Sequence, residues 1–247
     1  LYKNKNVYSL DKNKPNRWTK LRYKKFYKCN LLDKKKLQNV FKKIKPNVIV
    51  HLAARSTVNE KISKKEYFSN NVQATKNLIS MMKKFKTEKI ILSSTAAVYA
   101  KKNKLIYEND KLRPSNKYGK SKLKTEKVLI NSKNVKFVIL RFFNVSSSIP
   151  NPLIGEFHDP ETHLVPIAVY RALKNKKINI FGNNYMTKDG TCIRDYIHVR
   201  DICSAIKKSI LYLNKKEKKK LIVNIGNGYG VSNKEIVTKL KKILNKK

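Results

Sequence analysis

Two rhythms of hydrophobic positions run through the first 143 residues. Short apolar runs at residues 7–11, 25–31, 48–54, 89–94 and 137–141 read as strands. Between them, Leu37, Val40, Phe41 and Ile44, then Leu78, Met81, Met82 and Phe85, recur at i, i+3, i+4, i+7, the spacing of one helix face. The segment around Tyr118 reads as a further helix. Residues 48–54 form a continuous apolar run of the kind buried on both faces of a parallel sheet. Strands alternating with helices at this pitch predict an α/β fold built on a doubly wound parallel sheet. Ligands of such sheets bind outside the carboxyl ends of the strands, where Asp11, Asn30, Ala53, Ala54 and Thr95 fall.

Past Asn144 the alternation loosens. Pro150, Pro152, Pro160 and Pro166 punctuate a long connection. A helix is predicted near 163–174, a strand at 178–181, a turn at Asp189-Gly190-Thr191, a helix at about 200–213 and a strand at 221–225. Gly226, Gly228 and Gly230 read as turn glycines. Ser232-x-x-Glu235 is a capping box opening a last amphipathic helix on Ile236, Val237, Leu240 and Leu244. The lysine-rich run 215–220 reads as an exposed loop. The organisation expected is a larger domain at 1–143 and a smaller α/β region at 144–247.

One pairing carries chemistry. Thr95 ends the run Leu92-Ser93-Ser94-Thr95 and lies 23 positions ahead of Tyr118-x-x-x-Lys122. Residues four apart share a helix face, so an ammonium can sit beside a phenol and lower its pKa. Such a phenol exchanges a proton with a sugar hydroxyl while another hydroxyl holds that oxygen. The pattern alone is weak, because five Tyr-x-x-x-Lys pairs occur in this lysine-rich chain. Only Tyr118/Lys122 follows a strand ending in Ser-Ser-Thr and has the small neighbours Gly119 and Ser121.

The net charge of +42 raises a nucleic-acid reading. Lysines are spread through every segment and far outnumber arginines, whereas base and phosphate readers concentrate arginine. A solvated lysine surface accounts for the charge, and no specific nucleic-acid partner is expected. Cys29, Cys192 and Cys203 form no paired framework, which points to a reducing, cytoplasmic compartment. No apolar stretch approaches a membrane span. His158, His163, His198 and Cys192 match no ligand spacing, so no metal is expected. His51 reads as a packed strand residue.

The runs Val50-His51-Leu52-Ala53-Ala54, Asn70-Asn71-Val72, residues 93–99, residues 118–122 and Leu140-Arg141-Phe142-Phe143-Asn144 resemble the UDP-glucose (UDP-galactose) 4-epimerase family of the extended short-chain dehydrogenases/reductases. The stretches 155–166 and 180–199 extend the resemblance, which covers nearly the whole chain. It implies a Rossmann-type NAD-binding domain and a nucleotide-sugar-binding region. By this resemblance Tyr118 is the acid/base, Lys122 holds the cofactor ribose and keeps the phenol acidic, and Thr95 bonds the sugar 4-oxygen. Asp11, Asn30, Leu31, Ala53, Ala54, Asn71 and Phe143 would contact NAD. Asn30 stands where the family usually has aspartate. Asn144, His163, Leu164, Phe181 and Arg194 would hold the UDP-sugar. Asp11 at a strand end favours NAD over NADP, since a carboxylate repels a 2′-phosphate. From the residues alone, Asp11 also reads as a turn acid and Arg194 as a salt-bridge partner. Members of the family often dimerise through two helices, here near 66–86 and 118–131.

The family's Gly-x-x-Gly-x-x-Gly loop and its preceding strand are not found in the sequence, nor is a later arginine and aspartate segment. The expectation is a fragment, with the first strand of the sheet lacking, that folds poorly alone and does not retain NAD. A nucleotide-sugar 4,6-dehydratase would place Asp-Glu after Thr95, where Ala96-Ala97 stands. Epimerases of UDP-N-acetylhexosamines or UDP-pentoses stay open, as does a catalytically dead or polyanion-binding protein.

Overall fold

A computed structural model describes residues 6–14, 24–102, 104–150, 154–156, 158, 160–215 and 220–245. Of the sequence expectations, Pro152 and the lysine run at 216–219 lie outside the described residues. The chain divides into two compact units, one comprising Leu1–Phe142 with Cys203–Asn224, the other Phe143–Ile202 with Ile225–Lys247.

In the first unit, β1 (Tyr8–Asp11) pairs in parallel with β2 (Lys25–Lys28). After it α1 (Lys34–Ile44) starts on Asp33, whose side chain accepts the Lys36 N–H, and buries Leu37, Val40 and Phe41. That is the predicted face. Next come β3 (Val48–His51), α2 (Lys64–Tyr67), α3 (Ala74–Lys84) and β4 (Lys89–Thr95). A π-helical turn at Phe68–Gln73 joins the two helices, a feature no periodicity announced. Then α4 (Lys117–Ile130) leads into β5 (Lys136–Phe142).

The order β3-β4-β5-β9 makes a four-stranded sheet, with β9 at Lys220–Ile225. β4 pairs in parallel with both β3 and β5. Among the described residues the β1–β2 ladder is separate from this sheet. One apolar core runs from Leu37, Phe41 and Met82 through Ile90 and Leu92 to Leu129, Phe137 and Ile139. Burial of these side chains is the main favourable term holding helices to sheet.

The N-terminus of α4 is pressed against the turn that follows β4. A Cβ on Gly119 would stand 2.3 Å from the Ala97 carbonyl oxygen, inside any van der Waals contact. Gly119→Ala is therefore expected to destabilise the unit by about 1–3 kcal/mol, as overpacking does. An unchanged urea midpoint would refute this close approach.

The second unit begins with β6 (Asn144–Val145), then α5 (Leu164–Leu173), β7 (Ile193–Arg194) and β8 (Tyr196–Ile197). α6 (Val199–Asn214) starts in this unit and runs on into the first. β10 (Val231–Ser232) and α7 (Asn233–Ile243) complete the second unit. β6 pairs in parallel with β8, and β7 with β10 antiparallel. The expected capping box is present on Ser232 and Glu235. The strand expected at 178–181 is not formed. That run has no regular secondary structure and pairs with no strand among the described residues, and Phe181 is 83% exposed.

Candidate active site

Thr95 is the last residue of β4, and its hydroxyl accepts the Ala97 N–H at 3.2 Å, turning the chain sharply away from the strand. On α4, capped by the Asn116 side chain, the Tyr118 phenol faces Thr95 closely enough for that hydroxyl to favour its ionised form. The ring packs beside Tyr67, centroids 6.3 Å apart, and the Tyr67 hydroxyl is anchored on the Thr57 carbonyl at 2.6 Å. One turn along, Lys122 is buried and donates to the Ser93 carbonyl. Thr95, Tyr118 and Lys122 thus converge at the carboxyl end of β4.

The electrostatics differ from the expectation in one respect. Burial pushes the Tyr118 phenol up to about 12, against the opposing pull of the Thr95 hydrogen bond. Lys122 does not hold it down, because its ammonium is spent on Ser93. Burial lowers Lys122 to about 8, partly offset by the Glu126 carboxylate one turn further on. Deprotonating Tyr118 thus calls for positive charge closer to the phenol than Lys122 supplies here.

The Lys122 shift has a measurable consequence. Between pH about 8 and 10.5 the unfolded lysine keeps a proton that the folded one has lost. Stability therefore rises with pH through that window, on the order of 3 kcal/mol, and the penalty is fully present below pH 8. Lys122→Met should flatten this rise in urea unfolding without nucleotide; an unaltered slope would refute the assignment.

Behind the site runs a buried polar relay. Asn71 donates to the Ser121 hydroxyl at 2.8 Å, and Ser121 donates to the Tyr118 carbonyl at 2.7 Å. Asn71 also accepts the Arg55 N–H at 2.7 Å and donates to the Arg55 carbonyl at 3.2 Å. The Thr75 hydroxyl donates to the Asn71 carbonyl at 2.6 Å, so the neighbouring His51 Nε2, 2.9 Å from Thr75 Oγ1, must be the donor in that contact. Burial, then Lys122, holds His51 neutral, with its pKa lowered to about 3. It is the packed strand residue that was expected.

A second buried network was not foreseen. Arg141 on β5 grips Glu126 with Nη2–Oε2 2.8 Å and Nε–Oε1 3.1 Å, and its Nη1 donates to the Tyr99 hydroxyl at 2.7 Å. Tyr99 passes on to Asn224 at 2.7 Å, and the Ser94 hydroxyl donates to Glu126. Single charges in a chain this basic give no sequence signal of partnership.

Beyond the carboxyl ends of β1, β2 and β3 lies a cavity of about 310 Å³. Asp11, Asn30, Leu31, Ala53 and Ala54 all line it, as do Lys12 and Arg55, which sequence reading missed. Asp11 Oδ1 accepts the Asn13 N–H at 2.8 Å, the contact of a turn acid, from its place on the cavity wall. Asn30 Oδ1 accepts the Leu32 N–H at 3.0 Å, and the Leu31 carbonyl is held by Asn77 at 3.0 Å. A carboxylate at a strand end, a buried leucine and two small residues form a donor set and shape suited to an adenosine. The volume matches the lower end of ligand pockets, about 300 Å³.

The remaining candidates belong to the second unit. Asn144 pairs in register with Tyr196, and its N–H donates to the Asp195 carbonyl at 3.0 Å. Arg194 is exposed and makes no ion pair among the described residues; its Nη1 donates to the Ile193 carbonyl at 2.9 Å. Phe143 borders Gly226. His163 precedes α5, Leu164 opens it, and Phe181 stands exposed. Asp195, not singled out before, takes the Asn227 and Gly228 N–H groups at 2.8 and 2.9 Å and so shapes the glycine turn.

Residues 1–226 match the NAD dependent epimerase/dehydratase family. The chain belongs to this family. A UDP-glucose 4-epimerase of Halalkalibacterium halodurans is 38% identical over 218 residues, covering 86% of this chain and 65% of that protein. The chain thus spans a little under two thirds of that relative. A crystal structure of a UDP-glucose 4-epimerase superposes with a TM-score of 0.89 at 39% identity, covering 98% of this chain and 75% of the other. The Brucella ovis UDP-glucose 4-epimerase in complex with NAD gives 0.83 at 35% identity, covering 90% and 70%. No helix among the described residues is long and apolar enough to cross a membrane.

Proposed function

We propose that the protein carrying this chain interconverts UDP-glucose and UDP-galactose at C4. The observation that carries the reading is Tyr118 facing Thr95 at the end of β4, with Lys122 one turn behind it. The relatives named UDP-glucose 4-epimerase support the substrate.

In this reading residues 1–143 bind NAD and 144–247 the nucleotide sugar. Asp11 would hold the adenosine ribose with its carboxylate, Leu31 and Asn30 would flank the adenine, and Ala53 and Ala54 would let backbone approach closely. Asn71 and Phe143 complete the cofactor contacts, and Lys122 would hold the ribose nearer the reacting end. Bound NAD supplies the acceptor and donor of the C4 hydride and carries positive ring charge. Tyr118 takes the proton of the sugar 4-hydroxyl and later returns it, while Thr95 holds the oxygen. Since substrate and product differ only in configuration at C4, the 4-keto sugar presents its other face before Tyr118 returns the proton. Arg194 would bond the diphosphate with charge assistance, helped by Asn144, and His163, Leu164 and Phe181 would meet the uridine. Ala96 and Ala97 offer no acid or base for eliminating water, which disfavours a dehydratase.

A homodimer through α2–α3 and α4, and a cytoplasmic setting consistent with three free cysteines, belong to the same proposal. The test is incubation with UDP-galactose and NAD. UDP-glucose should appear without accumulation of NADH. Stoichiometric NADH, or release of water from the sugar, would overturn the reading.

A further inference from the structure

Four side chains of one short stretch turn inward on each other in the second unit. Glu156, His158, Glu161 and His163 each offer a donor atom, and these atoms lie within 4.8 Å of one another. His163 Nδ1 is 2.7 Å from Glu156 Oε1 and 3.1 Å from Glu161 Oε1. His158 Nδ1 is 3.4 Å from Glu156 Oε1 and 3.6 Å from Glu161 Oε2. The two imidazoles stand side by side, centroids 4.9 Å apart.

We propose that Glu156, His158, Glu161 and His163 form a structural site for a divalent transition metal of the zinc type. Zinc takes imidazole nitrogen and carboxylate oxygen at about 2.0–2.2 Å in a tetrahedron, which sets neighbouring donors about 3.3 Å apart. The histidine–glutamate separations run from 2.7 to 3.6 Å and the whole set lies within 4.8 Å, so a small inward shift of the side chains would complete that geometry. Glu161 Oε1 accepts the Thr162 and His163 N–H groups at 2.7 and 2.9 Å, which fixes the carboxylate and leaves Oε2, on the His158 side, for an ion. The partners are informative as well. In a chain with 58 lysines and arginines, the close side-chain partners of these two glutamates are histidines among the described residues. A set of four protein donors leaves no open position, so the role is structural rather than catalytic. All four come from eight consecutive residues, so closing the loop around an ion loses little chain entropy. The bound ion would fix the connection entering α5. The expectation of no metal rested on histidine and cysteine spacing, which did not include the two glutamates.

His163 is shared with the uridine contacts proposed above, so the test reads metal binding directly and not turnover. The test uses the full chain, freed of metal with a chelator and titrated with Zn²⁺ against a chromophoric competitor, then with Co²⁺ as a visible probe. One equivalent of Zn²⁺ should bind, and Co²⁺ should show tetrahedral bands without a thiolate charge-transfer band. His158→Ala and the milder Glu156→Gln should each weaken binding at least about 10-fold, with far-UV circular dichroism unchanged. Binding below a tenth of an equivalent would overturn the proposal. So would variants that bind like the parent chain, or a thiolate band placing the ion on Cys29, Cys192 or Cys203.

Discussion

Tyr118→Phe should lower C4 epimerisation by about 10²–10⁴-fold, the range for losing a general acid/base, and leave the fold intact. The substitution removes one hydroxyl, which faces Thr95. The ring keeps its packing against Tyr67, so the thermal midpoint should stay near that of the parent protein. Thr95→Val should cost less, because it removes an orienting bond and leaves the proton-transferring group in place. Steady-state turnover of UDP-galactose with matched thermal melts separates the effects. Turnover within a few-fold of the parent for Tyr118→Phe would remove the phenol from the chemistry and with it the mechanism argued here.

The largest effect on stability is expected at Arg141, away from the reacting atoms. Arg141 and Glu126 have side-chain exposures of 3% and 1%, and the pair is bidentate. Besides Glu126, Arg141 serves Tyr99 and the Glu108 carbonyl, at 2.7 and 3.2 Å. Arg141→Ala leaves the Glu126 carboxylate buried with only the Ser94 hydroxyl and Lys122 near it. Breaking a buried pair from one side costs about 3–5 kcal/mol, whereas replacing both partners by apolar residues of similar volume is often close to neutral. The double variant Arg141→Met with Glu126→Leu should therefore recover much of the loss. Urea unfolding measures both, and a loss under about 1 kcal/mol for Arg141→Ala would show the pair to be solvated. The same pair ties α4 to β5, and so holds the helix that carries Tyr118 and Lys122 against the sheet.

What could be read from the sequence was whatever a local rule governs. The strands ending at Thr95 and Phe142 and the face Leu37–Val40–Phe41 follow from periodicity, because each buries its apolar side in one core. The run 48–54 forms a strand only as far as His51 and is not buried on both faces, since Val50 and Leu52 stand exposed. The grouping of Asp11, Asn30, Ala53 and Ala54 followed from a rule of topology, that ligands meet strand ends in parallel sheets. The misreadings have physical causes too. Residues 178–181 have strand-like composition, yet a strand needs a partner, and the described residues provide none. Lys122 was expected to lower the phenol because four-residue spacing puts both on one face. Spacing does not reveal the Ser93 carbonyl that captures the ammonium, nor the burial that raises Tyr118. The π-turn at Phe68–Gln73 and the Glu126–Arg141 pair are products of tertiary packing, which no single-residue pattern encodes.

In the proposed reaction hydride leaves C4 and returns to C4 while Tyr118 moves only a proton. The most direct test is turnover of UDP-galactose carrying deuterium at C4, in ordinary water with NAD, read by mass spectrometry and NMR of the product. The account predicts UDP-glucose with the deuterium retained at C4. Washout of the label into solvent, or an unlabelled product, would mean that C4 inverts by proton abstraction, and would contradict it.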